Sequence, residues 1–152
     1  EFLDAKQREN NYYRTKTVLQ LCKEFSDTVL TEDNNVDKKD KIEFLSSSIE
    51  YFKENEVFDT QDFNQKVIKN PSVIEAFKDF KAEYEETMEI EPVESFDISD
   101  KAVKTNNKLF KSVIKLDKNF HIYVHSRPEM IEKGFDEEKK LKFYKLYYES
   151  ED

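Results

Sequence analysis

Hydrophobic residues recur at helical spacing through roughly the first hundred positions of the chain and at strand spacing over most of the remainder. Val18, Leu21, Cys22, Phe25 and Val29 lie at spacings of three and four, which puts an apolar stripe down one face of a helix over residues 10–30. The polar run TEDNNVDKKD ends it, with Asn34 and Asn35 suited to turns and Asp37 a candidate N-cap. Ile42, Leu45, Ile49 and Phe52 form a second stripe, reaching residue 53. Asp59 or Thr60 caps a short third helix carrying Phe63 and Val67, and Asn70 followed by Pro71 restarts the chain as a fourth. In that helix Val73, Phe77, Phe80 and Tyr84 follow at intervals of four, three and four, the cleanest amphipathic pattern present.

The acidic segment EETMEIEPVES, interrupted by Pro92, reads as an exposed connection, after which Ser99 caps a short helix with Ala102 and Val103. The period then changes. Phe110, Ser112, Ile114 and Leu116 alternate with Lys111, Val113 and Lys115; after the turn residues Asp117, Lys118 and Asn119, Phe120, Ile122 and Val124 alternate with His121, Tyr123 and His125. Strict alternation on both sides of a turn predicts a half-buried β-hairpin. A short edge at 134–136, a turn through 137–140 and a last strand over 141–148 complete a small sheet. Gly134 is the only glycine, so the backbone there is expected to need a positive φ or a close approach.

The predicted fold class is α+β: an N-terminal helical region followed by a small C-terminal antiparallel β-meander. The boundary falls between an acidic helical region, 1–98, and a basic helix plus β-meander, 99–152, packed together. An alternative reading makes one helix of the basic section, because Lys101, Lys104, Lys108, Lys111, Lys115 and Lys118 also repeat at three and four. Val113, Ile114 and the aromatic strands after them favour β structure instead.

Composition limits the possibilities further. Of 152 residues 37% are hydrophobic and 39% charged, yet 13 Phe and 8 Tyr are enough to assemble one core from rings. No stretch approaches the roughly 20 apolar residues of a membrane helix, so no membrane partner is expected. Cys22 is the single cysteine, which excludes an internal disulfide and a cysteine-based zinc site and fits a reducing cytoplasm. The net charge of -9 is unevenly spread: residues 1–97 carry -11, residues 98–148 carry +5, and the last four carry -3. Attraction to phosphates therefore belongs to the hairpin section.

Catalytic chemistry finds little footing. His121 and His125, four apart on one strand face, stand about 13 Å from each other at roughly 3.3 Å per residue and cannot share an ion. One glycine excludes the glycine-rich phosphate loops and nucleophile elbows. Pairs such as Glu83 with Glu86 and Asp136 with Glu137 read as a solvated acidic surface, and Cys22, within an apolar stripe, as a core thiol. No cofactor, metal site or enzymatic activity is expected. A metal-dependent nuclease, the third reading considered, lacks any ordered ligand motif.

The run IKLDKNFHIYV, followed by MIEKGFDEEKKLKFYKLYYE, resembles the C-terminal end of bacterial nucleoid-associated proteins of the NdpA (YejK) family. The likeness extends to FDIS at 96–99 and to the stretch around LCKEF at 21–25. Those proteins are longer, and this chain, which begins at Glu1 without Met, is read as their C-terminal part. Related sequences have glycines near the positions of Ser126 and Lys140, so those two turns are expected to differ. The resemblance implies a nucleoid location and double-stranded DNA as partner, bound with little sequence preference. Candidate contacts are Lys111, Lys115, Lys118, His121, Tyr123 and Arg127, with His125 on the same strand face, offering cations to phosphates and rings to bases or sugars. The competing reading is an ordinary solvated face whose lysines guard an edge. On the other view of function, the acidic helices form a protein-interaction or oligomerisation module, docking a second copy or another chromosome-associated protein.

Overall fold

The computed structural model describes residues 2–124 and 127–152; His125 and Ser126, placed by the sequence on the candidate face and in a differing turn, lie outside the described residues. Five α-helices precede two hairpins: α1 (Phe2–Thr28), α2 (Lys38–Glu54), β1 (Val57–Asp59), α3 (Thr60–Phe63), α4 (Pro71–Thr87), β2 (Ser95–Asp97), α5 (Asp100–Asn106), β3 (Ser112–Leu116), β4 (Phe120–Val124), β5 (Ile131–Asp136) and β6 (Leu141–Leu146). The predicted α+β class is the observed one, with helices first and antiparallel strand pairs towards the C-terminus.

The capping residues explain most helix starts. Asp59 accepts from the Asp62 amide at 3.0 Å, Asn70 from Ser72 at 2.9 Å and Ser99 from Ala102 at 3.3 Å. Asp37 occupies the N-cap of α2 but makes no capping bond. Its carboxylate is instead engaged by Lys133 of β5, at 3.2 Å. Helix α1 starts at Phe2, well before residue 10, because Leu3, Ala5, Lys6, Gln7, Arg8 and Glu9 are good helix formers even though residues 2–10 are exposed and carry no stripe. Beyond α3 the chain widens into a π-turn over Asn64–Ile68, so Val67 sits in that turn and not in a continued α-helix.

Phe25 of α1 is fully buried and packs edge-to-face on Phe44 of α2 at 5.5 Å, Phe77 of α4 at 5.1 Å and, at 5.6 Å, Phe80 of α4. Beside it Tyr51, Phe52, Phe58 and Phe63 form a second aromatic group, joined to the first by the Phe63–Phe77 contact at 5.8 Å. Tyr51 donates to Asp62 at 2.9 Å; burial and then that carboxylate push its pKa up to about 12. Cys22 is a core thiol, raised in pKa by burial alone.

The acidic connection is better anchored than its composition suggests. Ile90 and Val93 pack on the core, the Val93 amide donates to Glu85 at 2.6 Å, and buried Lys81 bridges Glu85 at 2.9 Å and Glu94 at 3.2 Å. The segment ends in β2, whose pairing with β1 the sequence did not reveal; Phe58 and Phe96 face each other in that register and stack at 5.1 Å. Across 84 positions, Thr15 of α1 accepts from the Ser99 amide at 3.0 Å, fixing the start of α5.

The last four strands form two hairpins, β3–β4 and β5–β6, and among the described residues no strand pairing joins them into one meander. Phe110 ends a 3-10 turn just before β3 and belongs to the helical core. Both hairpins rest on α2 through a small second cluster, Ile42 with Ile114, Val124 and Ile131. Gly134 does not take a positive φ. It permits close approach: a Cβ there would stand 2.3 Å from Cζ of Phe143, its cross-strand partner, whose ring covers the glycine. In this part of the chain positive φ is instead taken by Asp117, at φ 51°, Arg127, at φ 53°, and Lys140, at φ 55°.

Two outcomes follow from this packing. Phe25→Ala lowers unfolding free energy by about 3–5 kcal/mol in urea titration, whereas Ile42→Ala costs about 2–5 kcal/mol and speeds amide hydrogen exchange in residues 112–146 more than in α1. Gly134→Ala expels the Phe143 ring and accelerates exchange across β5–β6; added to Phe143→Ala, it produces a smaller loss than it does alone, as a double-mutant cycle measures.

Candidate nucleic-acid interface

Antiparallel pairing sets the character of each face of β3–β4. Val113 opposes Tyr123 and Lys115 opposes His121, while Ile114 opposes Ile122 and Leu116 opposes Phe120. Because successive side chains alternate across a strand, the first four share one face and the last four the other. The first face looks outward: Val113, Lys115, His121 and Tyr123 are all exposed, Tyr123 by 64%. The other face carries Ile114, 1% exposed, onto the Ile42 cluster.

Four of the predicted residues are thereby ordered along one ribbon. Lys111, extended and exposed, leads into β3 at the parity of Val113 and Lys115. Lys115 and His121 are direct cross-strand neighbours, and Tyr123 follows beside them. Lys118 sits in the connecting turn, where Asp117 adopts φ 51° and the Asn119 amide closes on the Leu116 carbonyl at 3.3 Å. Arg127 lies outside the ribbon. It donates to Glu149 at 3.0 Å and Glu129 at 3.3 Å, and those carboxylates, Glu149 first, raise its pKa.

Ion pairing of cations is more frequent in the acidic region, though Arg14, Lys16, Lys39, Lys53 and Lys69 there also make none among the described residues. In the acidic region Lys23 and Lys41 converge on Asp27, Lys66 meets Asp62, Lys78 meets Glu75 and Lys81 meets Glu85. Asp27 is partly buried, which alone would raise its pKa, yet the two lysines hold it below the ordinary carboxylate value. Among the described residues Lys111, Lys115 and Lys118 make no ion pair, nor do Lys101, Lys104 and Lys108 of the preceding helical turns. Those last three belong with the same unpaired set; their helical spacing was visible, but their lack of acidic partners depends on tertiary structure.

Between the hairpins a cleft of about 370 Å³ is lined by Ile122, Tyr123, Arg127, Met130, Tyr147 and Glu149, among others. In the second hairpin Lys133 is tied to Asp37 and Lys145 lies 5.6 Å from the centroid of the Phe143 ring, while Lys139, Lys140 and Lys142 are exposed. Among the described residues no three His, Cys, Asp or Glu side chains gather as metal ligands, and no helix is long and apolar enough to cross a membrane.

The model of one protein family, described as nucleoid-associated protein YejK, matches residues 1–148. Comparison with curated proteins and with solved structures found no match. Since the family match spans nearly the whole chain, the chain belongs to the nucleoid-associated protein YejK family.

Proposed function

We propose that the chain binds double-stranded DNA with little sequence preference, in the nucleoid, and that the β3–β4 ribbon makes the contact without enzymatic chemistry. The observation that carries this reading is the outward face itself: Lys115 and His121 side by side, Lys111 and Lys118 at the two ends of β3, and, among the described residues, no carboxylate paired with any of the three lysines. Phosphate neutralisation by such lysines supplies affinity without reading bases. Tyr123 adds an exposed ring suited to sugar or base contact. Arg127, already held by two carboxylates, contributes only if Glu149 and Glu129 release it.

A second reading concerns the other hairpin. Phe135 and Leu146 share one face of β5–β6 and are each at least half exposed, an apolar surface compatible with a protein partner or a second copy, while Leu141 lies on the opposite face. The two readings use different hairpins and so are separable by experiment.

Duplex binding measured across a salt series tests the first. The wild-type chain is expected to lose affinity linearly in log–log form, and changing Lys111, Lys115 and Lys118 to Ala lowers that slope by about 0.9 per phosphate contact removed. An unchanged slope in the triple variant moves the contact off this ribbon. A chain that binds no duplex at low salt, yet sediments as a dimer until Phe135 and Leu146 are changed to Ser, supports the interaction reading instead.

A further inference from the structure

The inner face of β3–β4 is covered only over its proximal part. Burial falls along it from Ile114, 1% exposed, and Val124, 9% exposed, through the half-buried Leu116 and Ile122, to Phe120, which is 64% exposed. The far end of the hairpin is therefore left largely uncovered, with a phenyl ring there that is mostly exposed. At that end stand Lys118 in the turn and, on the opposite face, Lys115 beside His121. Residues 111–124 contain three lysines and a single carboxylate, Asp117. An edge-guarding role accounts for lysines on a two-stranded ribbon. It does not account for an uncovered Phe among them.

We propose that Phe120 is a wedge: the tip of β3–β4 inserts this ring between adjacent base pairs while Lys115 and Lys118 hold the flanking phosphates, so that binding kinks the duplex. The inference rests on the proposed DNA contact, shifts its centre from the outward face to the tip, where Phe120 projects from one face of the ribbon and Lys115 from the other, and adds a deformation. The ribbon has the reach, since five residues of strand at about 3.3 Å each carry the tip roughly 17 Å from its base. Apolar side chains inserted between base steps unstack them and bend DNA by on the order of 20–90°. Such a device selects flexible, mismatched or pre-bent duplex over stiff duplex, while the lysines stay indifferent to sequence. A charged polymer is favoured over a protein partner at this tip because Lys118 in the adjoining turn and Lys115 on the opposite face of the ribbon make no ion pair among the described residues.

The test uses the 152-residue chain and a duplex carrying a fluorescence donor and acceptor at its ends, at low salt. Wild-type binding is expected to shorten the end-to-end distance. Phe120→Ala, whose exposed site leaves the melting temperature unchanged, binds roughly tenfold more weakly and leaves the duplex straight. Phe120→Trp restores the shortening, and Phe135→Ala, which removes a comparably exposed ring from the other hairpin, leaves it intact. Salt-sensitive binding by the wild type with no shortening, or shortening that survives Phe120→Ala, overturns the wedge and leaves the lysine contact standing. Absence of salt-sensitive binding by the wild type overturns both.

Discussion

The ring of Phe25 is the constraint around which the helical body is organised. One side chain touches Phe44, Phe77 and Phe80, and so ties α1, α2 and α4 at a single point. Edge-to-face aromatic pairs add about 0.5–1.5 kcal/mol each beyond the area they bury. In a chain with more charged than hydrophobic residues, burial must be concentrated in a few large groups, and Phe25, Phe52, Phe58, Phe63 and Phe77 are fully enclosed. The stacked Phe58 and Phe96 then draw two distant segments into the β1–β2 pair, so even backbone pairing there follows ring packing.

The hairpins stand apart from that arrangement. Their cover is a patch of aliphatic residues around Ile42, too small to enclose two ribbons, and the Lys133–Asp37 pair adds only an exposed ionic contact. A ribbon held at its base and bare at its tip exposes both its outward face and its end. That division assigns stability to the helices and leaves the surface of β3–β4 available for a polyanion.

The sequence made the helices legible wherever an apolar stripe coincided with a cap, as at Asn70 and Pro71 ahead of Phe77, Phe80 and Tyr84. It failed where the deciding contact was remote. Nothing near Phe96 announces Phe58, and the buried Lys81 that holds Glu94 looks like any other surface lysine until the chain folds. Asp37 was recognisable as a cap position, but its competition with Lys133, 96 residues away, was not. On the candidate face, alternation alone ordered Lys115, His121 and Tyr123 correctly onto one side of a hairpin. Arg127 resembled its neighbours in sequence and differs in structure, because Glu149 reaches it from a segment 22 residues later. The family resemblance and the family match agree, while the placement of a DNA contact on particular residues rests on geometry.

The charge asymmetry acquires a mechanical meaning in this structure. An acidic body beside a basic ribbon would quench the ribbon if its carboxylates could reach it, because unlike charges a few ångströms apart pair readily. Several carboxylates of the body are already committed: Asp27 to two lysines, Asp62 to Lys66 and Tyr51, Glu85 to Lys81 and the Val93 amide. Under the proposed DNA contact, the body's net charge of -11 over residues 1–97, screened by salt over about 8–10 Å, disfavours the helices as the place of contact while the ribbon lysines favour theirs. On that proposal the acidic helices, which by composition alone argue against DNA, contribute to where on the molecule it is met.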